Sequence, residues 1–153
     1  MKLIERLNKG LPMIQPKVLI CDCDGVLSSH NFYYSVDGKV MKRFSADDND
    51  ALTLLKPYLD IVFVTGDKRG YKITEKRVLD MKCKIELVST IKRIDWIKER
   101  YNPDDVIYIG DGIFDPYVFD EVGYAITTGD ALSHVKSRWW SLFDGKDWRY
   151  RWI

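Results

Sequence analysis

The sequence predicts an α/β fold, a Rossmann-like three-layer α/β/α arrangement with a mostly parallel central sheet and one projecting β-hairpin. Three observations carry this. Short apolar runs stop abruptly at acids or glycine, as buried parallel strands do where they open into loops. Between them lie stretches with apolar residues at helical spacing, and strands that alternate with helices wind a parallel sheet on both faces. One aromatic and β-branched stretch carries Asp37-Gly38 in its middle, a hairpin signal.

Met1 to Gln15 reads as a short amphipathic helix, with neither the apolar run of a membrane span nor that of a secretion signal. Val18 to Cys21 is the first core strand. Asn31 to Phe44 is the hairpin, with Asp37-Gly38 expected to supply the positive backbone angles of its turn. Asp50 to Leu59 is helical and leads into the second core strand, Ile61 to Val64, stopped by Thr65-Gly66-Asp67. A helix follows over Ile73 to Met81, a short strand over Lys84 to Val88 and a helix over Ile91 to Arg100. Val106 to Ile109 closes into Gly110-Asp111-Gly112, and Tyr124 to Ile126 is the last strand. No linker or repeat divides the 153 residues, so residues 1–153 are expected to form one domain.

Charge narrows the partners. A formal net charge of +1 gives no overall field toward nucleic acid or a membrane surface, so any partner is expected to be recognised locally. Cys21, Cys23 and Cys83 form an odd set, and the first two stand too close along one strand to pair, which suits a reducing cytoplasm.

The chemistry gathers at strand ends, where ligands bind in open α/β sheets. Asp22 and Asp24 straddle Cys23 just after the first strand, and two carboxylates so close repel unless a cation lies between them. Magnesium, which takes hard oxygen ligands and keeps several waters, suits them, and Asp111 and Asp115 can complete the acidic cluster. Each acidic pair alone is ordinary turn chemistry. Together with the Thr65 hydroxyl, Gly66, beside which backbone amides can approach a phosphate oxygen, and a cation at Lys92, they form the parts of a phosphoryl-transfer site. Arg93 is a rival to Lys92 for the cationic role. His30 and His134 lack partners at metal-ligand spacing, although His30 lies near enough to Asp24 to touch a substrate. The tail from Arg138 to Ile153 mixes Trp139, Trp140, Trp148 and Trp152 with arginines and is expected to pack rather than to bind a polyanion.

In this order, Asp22-Cys23-Asp24-Gly25-Val26-Leu27, Val64-Thr65-Gly66, Lys92 and Gly110-Asp111-Gly112-Ile113-Phe114-Asp115 resemble the four signature loops of the haloacid dehalogenase superfamily. The resemblance implies an Mg2+-dependent phosphatase that works through an aspartyl-phosphate. Asp22 would be the nucleophile and Asp24 the general acid and base. Thr65 and Lys92 would hold phosphoryl oxygens. Asp111 would ligate magnesium with Asp22 and the Asp24 carbonyl, and Asp115 would hold metal-bound water or orient Lys92. A receiver-type phosphoacceptor domain would order these parts differently, with its lysine last, and a phosphatase acting on nucleotide or polynucleotide ends is a further alternative.

No stretch is long enough for a separate cap domain. The run through Tyr33-Tyr34, Asp37-Gly38, Lys42, Phe44 and Asp48, with Arg77 in the helix after Thr65, resembles the capless 3-deoxy-D-manno-octulosonate 8-phosphate phosphatases. That resemblance implies a phosphorylated sugar or sugar acid as substrate, bound partly by Asp48 and Arg77. It also implies a cytoplasmic homotetramer built through the hairpins. Asp67 stands where the group commonly has a basic residue.

Overall fold

Strand β1 (Val18–Asp22) is buried along its whole length, its apolar run from Val18 to Cys21 ending on Asp22. The computed structural model describes residues 15–142. In it β1 lies between β4 (Asp60–Thr65) and β6 (Val106–Ile109), with β5 (Lys84–Leu87) beyond β4 and β7 (Tyr124–Ile126) beyond β6. Every neighbouring pair is parallel, and Val18 is in register with both Asp60 and Val106.

The period of two along a strand divides the core. Val18, Ile20, Val62 and Val64 face one side, where they pack with Trp96 and Ile97 of α3 (Arg93–Arg100), Val118 and Phe119 of α4 (Asp115–Phe119), and Val135 of α5 (Ser133–Leu142). Leu19, Cys21, Ile61 and Phe63 face the other, against Leu52 of α1 (Asp47–Leu55) and Val78 of α2 (Tyr71–Asp80). Helices on both faces of one parallel sheet are the three layers expected. Cys21, Cys23 and Cys83 are buried free thiols. No helix among the described residues is long and apolar enough to cross a membrane.

The hairpin is β2 (Ser28–Ser35) and β3 (Gly38–Phe44), an antiparallel pair separate from the main sheet. Its turn falls on Val36 and Asp37, and Gly38 alone takes a positive φ, +123°. The expectation that both Asp37 and Gly38 would do so is corrected, since Lys82 is the one described non-glycine residue with positive φ. Helix α1 begins three residues earlier than its apolar spacing suggests. The Ser45 hydroxyl accepts from the Asp47 amide at 3.2 Å, and Asp47, Asp48 and Asp50 place negative charge on the first turn, where the helix dipole favours it. The helix expected from Ile91 divides into a 3-10 turn (Thr90–Lys92) and α3. Residues 1–14 of the expected N-terminal helix, and the tail from 143, lie outside the described residues.

Candidate active site

The strands that flank β1 were added on opposite sides of it, β4 and β5 to one and β6 and β7 to the other, so a crevice opens at the carboxyl ends between them. Asp22 ends β1 in that crevice. Its Oδ1 accepts from the Cys23 amide at 2.7 Å and its Oδ2 from Arg93 Nη1 at 2.8 Å. Asp111 and Asp115 come from the loop after β6 and the start of α4, and one oxygen from each of Asp22, Asp111 and Asp115 lies within 4.8 Å of the other two. Asp115 is fixed from three sides: Tyr108 Oη donates to its Oδ1 at 2.7 Å, Arg93 Nη1 does so at 3.2 Å, and the Gly112 amide donates to Oδ2 at 2.7 Å. Asp111 is held by His30, whose Nε2 lies 2.7 Å from Oδ2.

This approach needs Gly25. Its φ is +93°, and a Cβ built there would stand 2.1 Å from Asp111 Oδ2, so a side chain is excluded by both backbone angle and space.

Burial sets the electrostatics. It pushes the Asp22 carboxyl up to about 6; the Arg93 guanidinium opposes this and the Asp115 charge adds to it. Asp111 is raised by burial against the pull of His30. Burial disfavours the Arg93 charge, but Tyr108, Asp22 and Asp115 outweigh it and hold the guanidinium firmly protonated. One buried cation thus pairs with two of the three clustered carboxylates, and Asp111 Oδ1 is buried with no hydrogen-bond partner. Hard oxygen donors with an orphaned carboxylate oxygen among them fit a divalent cation.

Asp24 has its own set of partners, separate from that cluster. Its Oδ1 accepts from Lys42 Nζ at 2.6 Å and Ser28 Oγ at 3.2 Å, and Thr65 Oγ1 reaches its Oδ2 at 3.5 Å. Thr65 is buried at the end of β4 and also accepts from the Asp67 amide at 3.1 Å. A Cβ on Gly66 would be in ordinary van der Waals contact with Thr90 and the Val88 carbonyl at 3.6 Å. Lys42 comes from the hairpin, and its side chain is 0% exposed. Its ammonium is penalised by burial, yet Asp24 and Asp67 raise its pKa above the ordinary lysine value.

The structure brings together Asp22, Asp111 and Asp115, and Asp24 with Thr65. It does not bring Lys92 to them. That side chain is 71% exposed and pairs at 3.6 Å with Asp95. The cation in the cluster is its rival Arg93, and the reason is helical register: Arg93, Trp96 and Ile97 share the buried face of α3, and a helical step of about 100° turns residue 92 away from it. Asp48 and Arg77 lie farther out. Arg77 Nη2 donates to the Ser45 carbonyl at 2.7 Å, and burial raises the Asp48 carboxyl while Arg77 draws it down. Asp48, Ser29, Arg43, Thr128 and Asp130 line an open cavity of about 800 Å³ beside the Gly25 to Ser28 loop.

Sequence reasoning missed the roles of Tyr108 and Lys42. A tyrosine inside an apolar strand is itself a signal, since a buried hydroxyl requires a partner, here Asp115 and Arg93. Lys42 had no such signal, because its three residue partners come from segments distant in sequence.

No protein-family model matches the chain. It is similar to the 3-deoxy-D-manno-octulosonate 8-phosphate phosphatase of Yersinia pestis, 29% identical over 123 residues, which cover 75% of this chain and 64% of that protein. The enzyme of the same name from Haemophilus influenzae is 26% identical over 126 residues, 79% of this chain and 69% of the relative. The chain therefore spans less than two thirds of the length of the Yersinia relative. Among solved structures, the cobalt-bound deoxy-D-mannose-octulosonate 8-phosphate phosphatase of Haemophilus influenzae superposes with a TM-score of 0.71 at 25% identity, covering 81% of this chain and 75% of that one. The Moraxella catarrhalis 3-deoxy-D-manno-octulosonate 8-phosphate phosphatase, solved with a magnesium ion, a phosphate ion and a KDO molecule, superposes with a TM-score of 0.64 at 22% identity, over 88% and 77% of the two chains, and shares the fold.

Proposed function

We propose that this chain, a homologue of the 3-deoxy-D-manno-octulosonate 8-phosphate phosphatases with the fold of the haloacid dehalogenase hydrolases, hydrolyses the phosphomonoester of a phosphorylated sugar or sugar acid through an aspartyl-phosphate on Asp22. The observation that carries the reading is the meeting of Asp22, Asp111 and Asp115, with one buried arginine bonded to the first and last of them, while Asp24, two residues after Asp22, meets Thr65.

An Asp22 carboxylate oxygen attacks phosphorus, the ester P–O bond breaks, and Asp24 gives its proton to the departing alcohol oxygen. Asp24, now a carboxylate, takes a proton from water, whose oxygen attacks phosphorus and breaks the Asp22–phosphate bond, releasing inorganic phosphate. Thr65 and the Gly66 loop hold phosphoryl oxygens, and Arg93 takes the cationic role first assigned to Lys92, keeping Asp22 aimed through its 2.8 Å bond. Magnesium, bound by Asp22, Asp111 and the Asp24 carbonyl with Asp115 behind them, would offset the charge on the phosphoryl oxygens. Asp48 and Arg77, beside the lined cavity, would meet the sugar.

The test is phosphate release by purified protein with Mg2+ from a panel of phosphorylated sugars, sugar acids and nucleotides. Turnover of sugar phosphates that vanishes in Asp22→Asn supports the reading; a preference for nucleotides, or an active Asp22→Asn, refutes it. The hairpin carries exposed Tyr33, Tyr34, Val40 and Met41, which supports assembly through this face into a homotetramer, as light scattering after gel filtration would report.

A further inference from the structure

Lys42 is the least accessible lysine of the catalytic crevice, and it does not belong to the core that surrounds the site. It arrives from β3 of the hairpin, crosses to the carboxyl ends of β1 and β4, and ends among three acceptors. These are Asp24 Oδ1 at 2.6 Å, Thr74 Oγ1 at 2.8 Å and Asp67 Oδ2 at 2.8 Å. Two of its N–H donors serve hydrogen bonds, to Asp24 and Thr74, and the ammonium is ion-paired with Asp67 beside them. A lysine that served solubility would keep its charge in water, whereas this one is wholly withdrawn from it.

The partners are themselves tied. Asp67 Oδ2 also accepts from Lys39 at 2.5 Å, its Oδ1 accepts from the Gly70 amide at 3.1 Å, and Lys39 stands 3.4 Å above the Phe32 ring. Asp67 follows the Thr65-Gly66 loop directly, so hairpin and phosphate-binding loop are bolted together at one carboxylate. The free end of that assembly is the Lys42 bond to Asp24.

We propose that Lys42 is a positioning residue for proton delivery: it fixes the Asp24 carboxyl so that one oxygen stays on the ammonium while Oδ2 faces the Thr65 side, where the leaving oxygen departs. Asp67, an acid at the rim of the site, holds the lysine there. This rests on the phosphatase reading, and it assigns the hairpin a part in the chemistry of its own subunit in addition to any part in assembly. Proton transfer is balanced within the pair, since Asp24 releases its proton to the alkoxide oxygen and regains one from water while Lys42 keeps all three of its own.

The test compares the first phosphoryl transfer, by rapid chemical quench in single turnover, for an alkyl phosphate and for p-nitrophenyl phosphate. An alkoxide leaves only with a proton; p-nitrophenolate leaves without one. Lys42→Met should slow the alkyl ester about a hundredfold and the aryl ester less than about threefold. Equal losses for the two esters, or no loss, overturn the inference, because damage to folding or to phosphate binding slows both. A parent protein inactive toward both esters refutes the phosphatase reading instead. The contact itself is read without catalysis: in ¹⁵N spectra of the parent, the Lys42 ammonium should appear as a slowly exchanging resonance that shifts in Asp24→Asn. An ammonium in fast exchange with water, or one indifferent to Asp24→Asn, also overturns it.

Discussion

Replacing Asp22 by Asn should change how the stability of the metal-free protein depends on pH. The Asp22 carboxyl rises from 3.8 to about 6 on folding because burial outweighs the attraction of Arg93. The folded chain therefore binds this proton more tightly than the unfolded chain does. The stabilisation is complete below the unfolded value and disappears as pH rises through the folded one. A shift of about two units corresponds to about 3 kcal/mol in total, of which roughly 2 kcal/mol falls between about pH 4.5 and about pH 7.5. In Asp22→Asn that loss is absent. Asn also changes the hydrogen bond at Arg93, which adds a pH-independent offset, so the quantity to read is the slope. Urea unfolding with a chelator present, followed by circular dichroism across this range, should show the variant-minus-parent difference rising by about 2 kcal/mol toward neutral pH. A flat difference would refute the claim that burial dominates, and a falling one would mean that Arg93 holds Asp22 below its ordinary value.

Three further outcomes are expected. Arg93→Met should cut phosphatase turnover at least about a hundredfold and destabilise the protein by about 3 to 5 kcal/mol, since Asp22 and Asp115 lose their buried partner, while Lys92→Ala should leave both within about twofold of the parent; steady-state kinetics and urea midpoints decide between the two cations. Gly25→Ala should cost about 1 to 2 kcal/mol for the positive φ alone and drive Asp111 aside, so calorimetric titration should find Mg2+ binding weakened at least about tenfold. Asp67 is drawn down to about 2 because Lys39 and Lys42 overcome its burial. Its contribution is present above the unfolded carboxylate value and lost as pH falls through the folded one, so Asp67→Asn should lose about 1 to 2 kcal/mol less stability than the parent on acidification from about pH 5 to about pH 2.

Much of this molecule was legible because its central parallel strands are largely buried. Ile61 to Val64 and Val106 to Ile109 are apolar without interruption, and the acids and threonine that stop them mark the crevice. What periodicity could not resolve was rotation. Lys92 and Arg93 are adjacent cations at a helix start, and either satisfies a pattern that asks for a charge there. The 3-10 turn over Thr90 to Lys92 sets the phase with which α3 begins, and that phase buries Arg93 with Trp96 and Ile97. Local sequence does not reveal where a tight turn hands over to an α-helix to within the single residue that matters here.

The hairpin shows a different limit. Its alternation and its Asp-Gly pair announce two strands, yet they say nothing of which residues turn back toward the core. Lys39 and Lys42 look like the solvated charges of an edge strand, a common device against edge-to-edge pairing. Their side chains are instead 4% and 0% exposed, because Asp67 and Asp24 present carboxylates where the hairpin crosses the strand ends. A basic residue at position 67 would repel both lysines and release β3 from the threonine loop. The acid at 67 and the lysines at 39 and 42 therefore act as one unit, and an exchange at position 67 cannot be read as a change in substrate charge alone: it changes what holds Asp24.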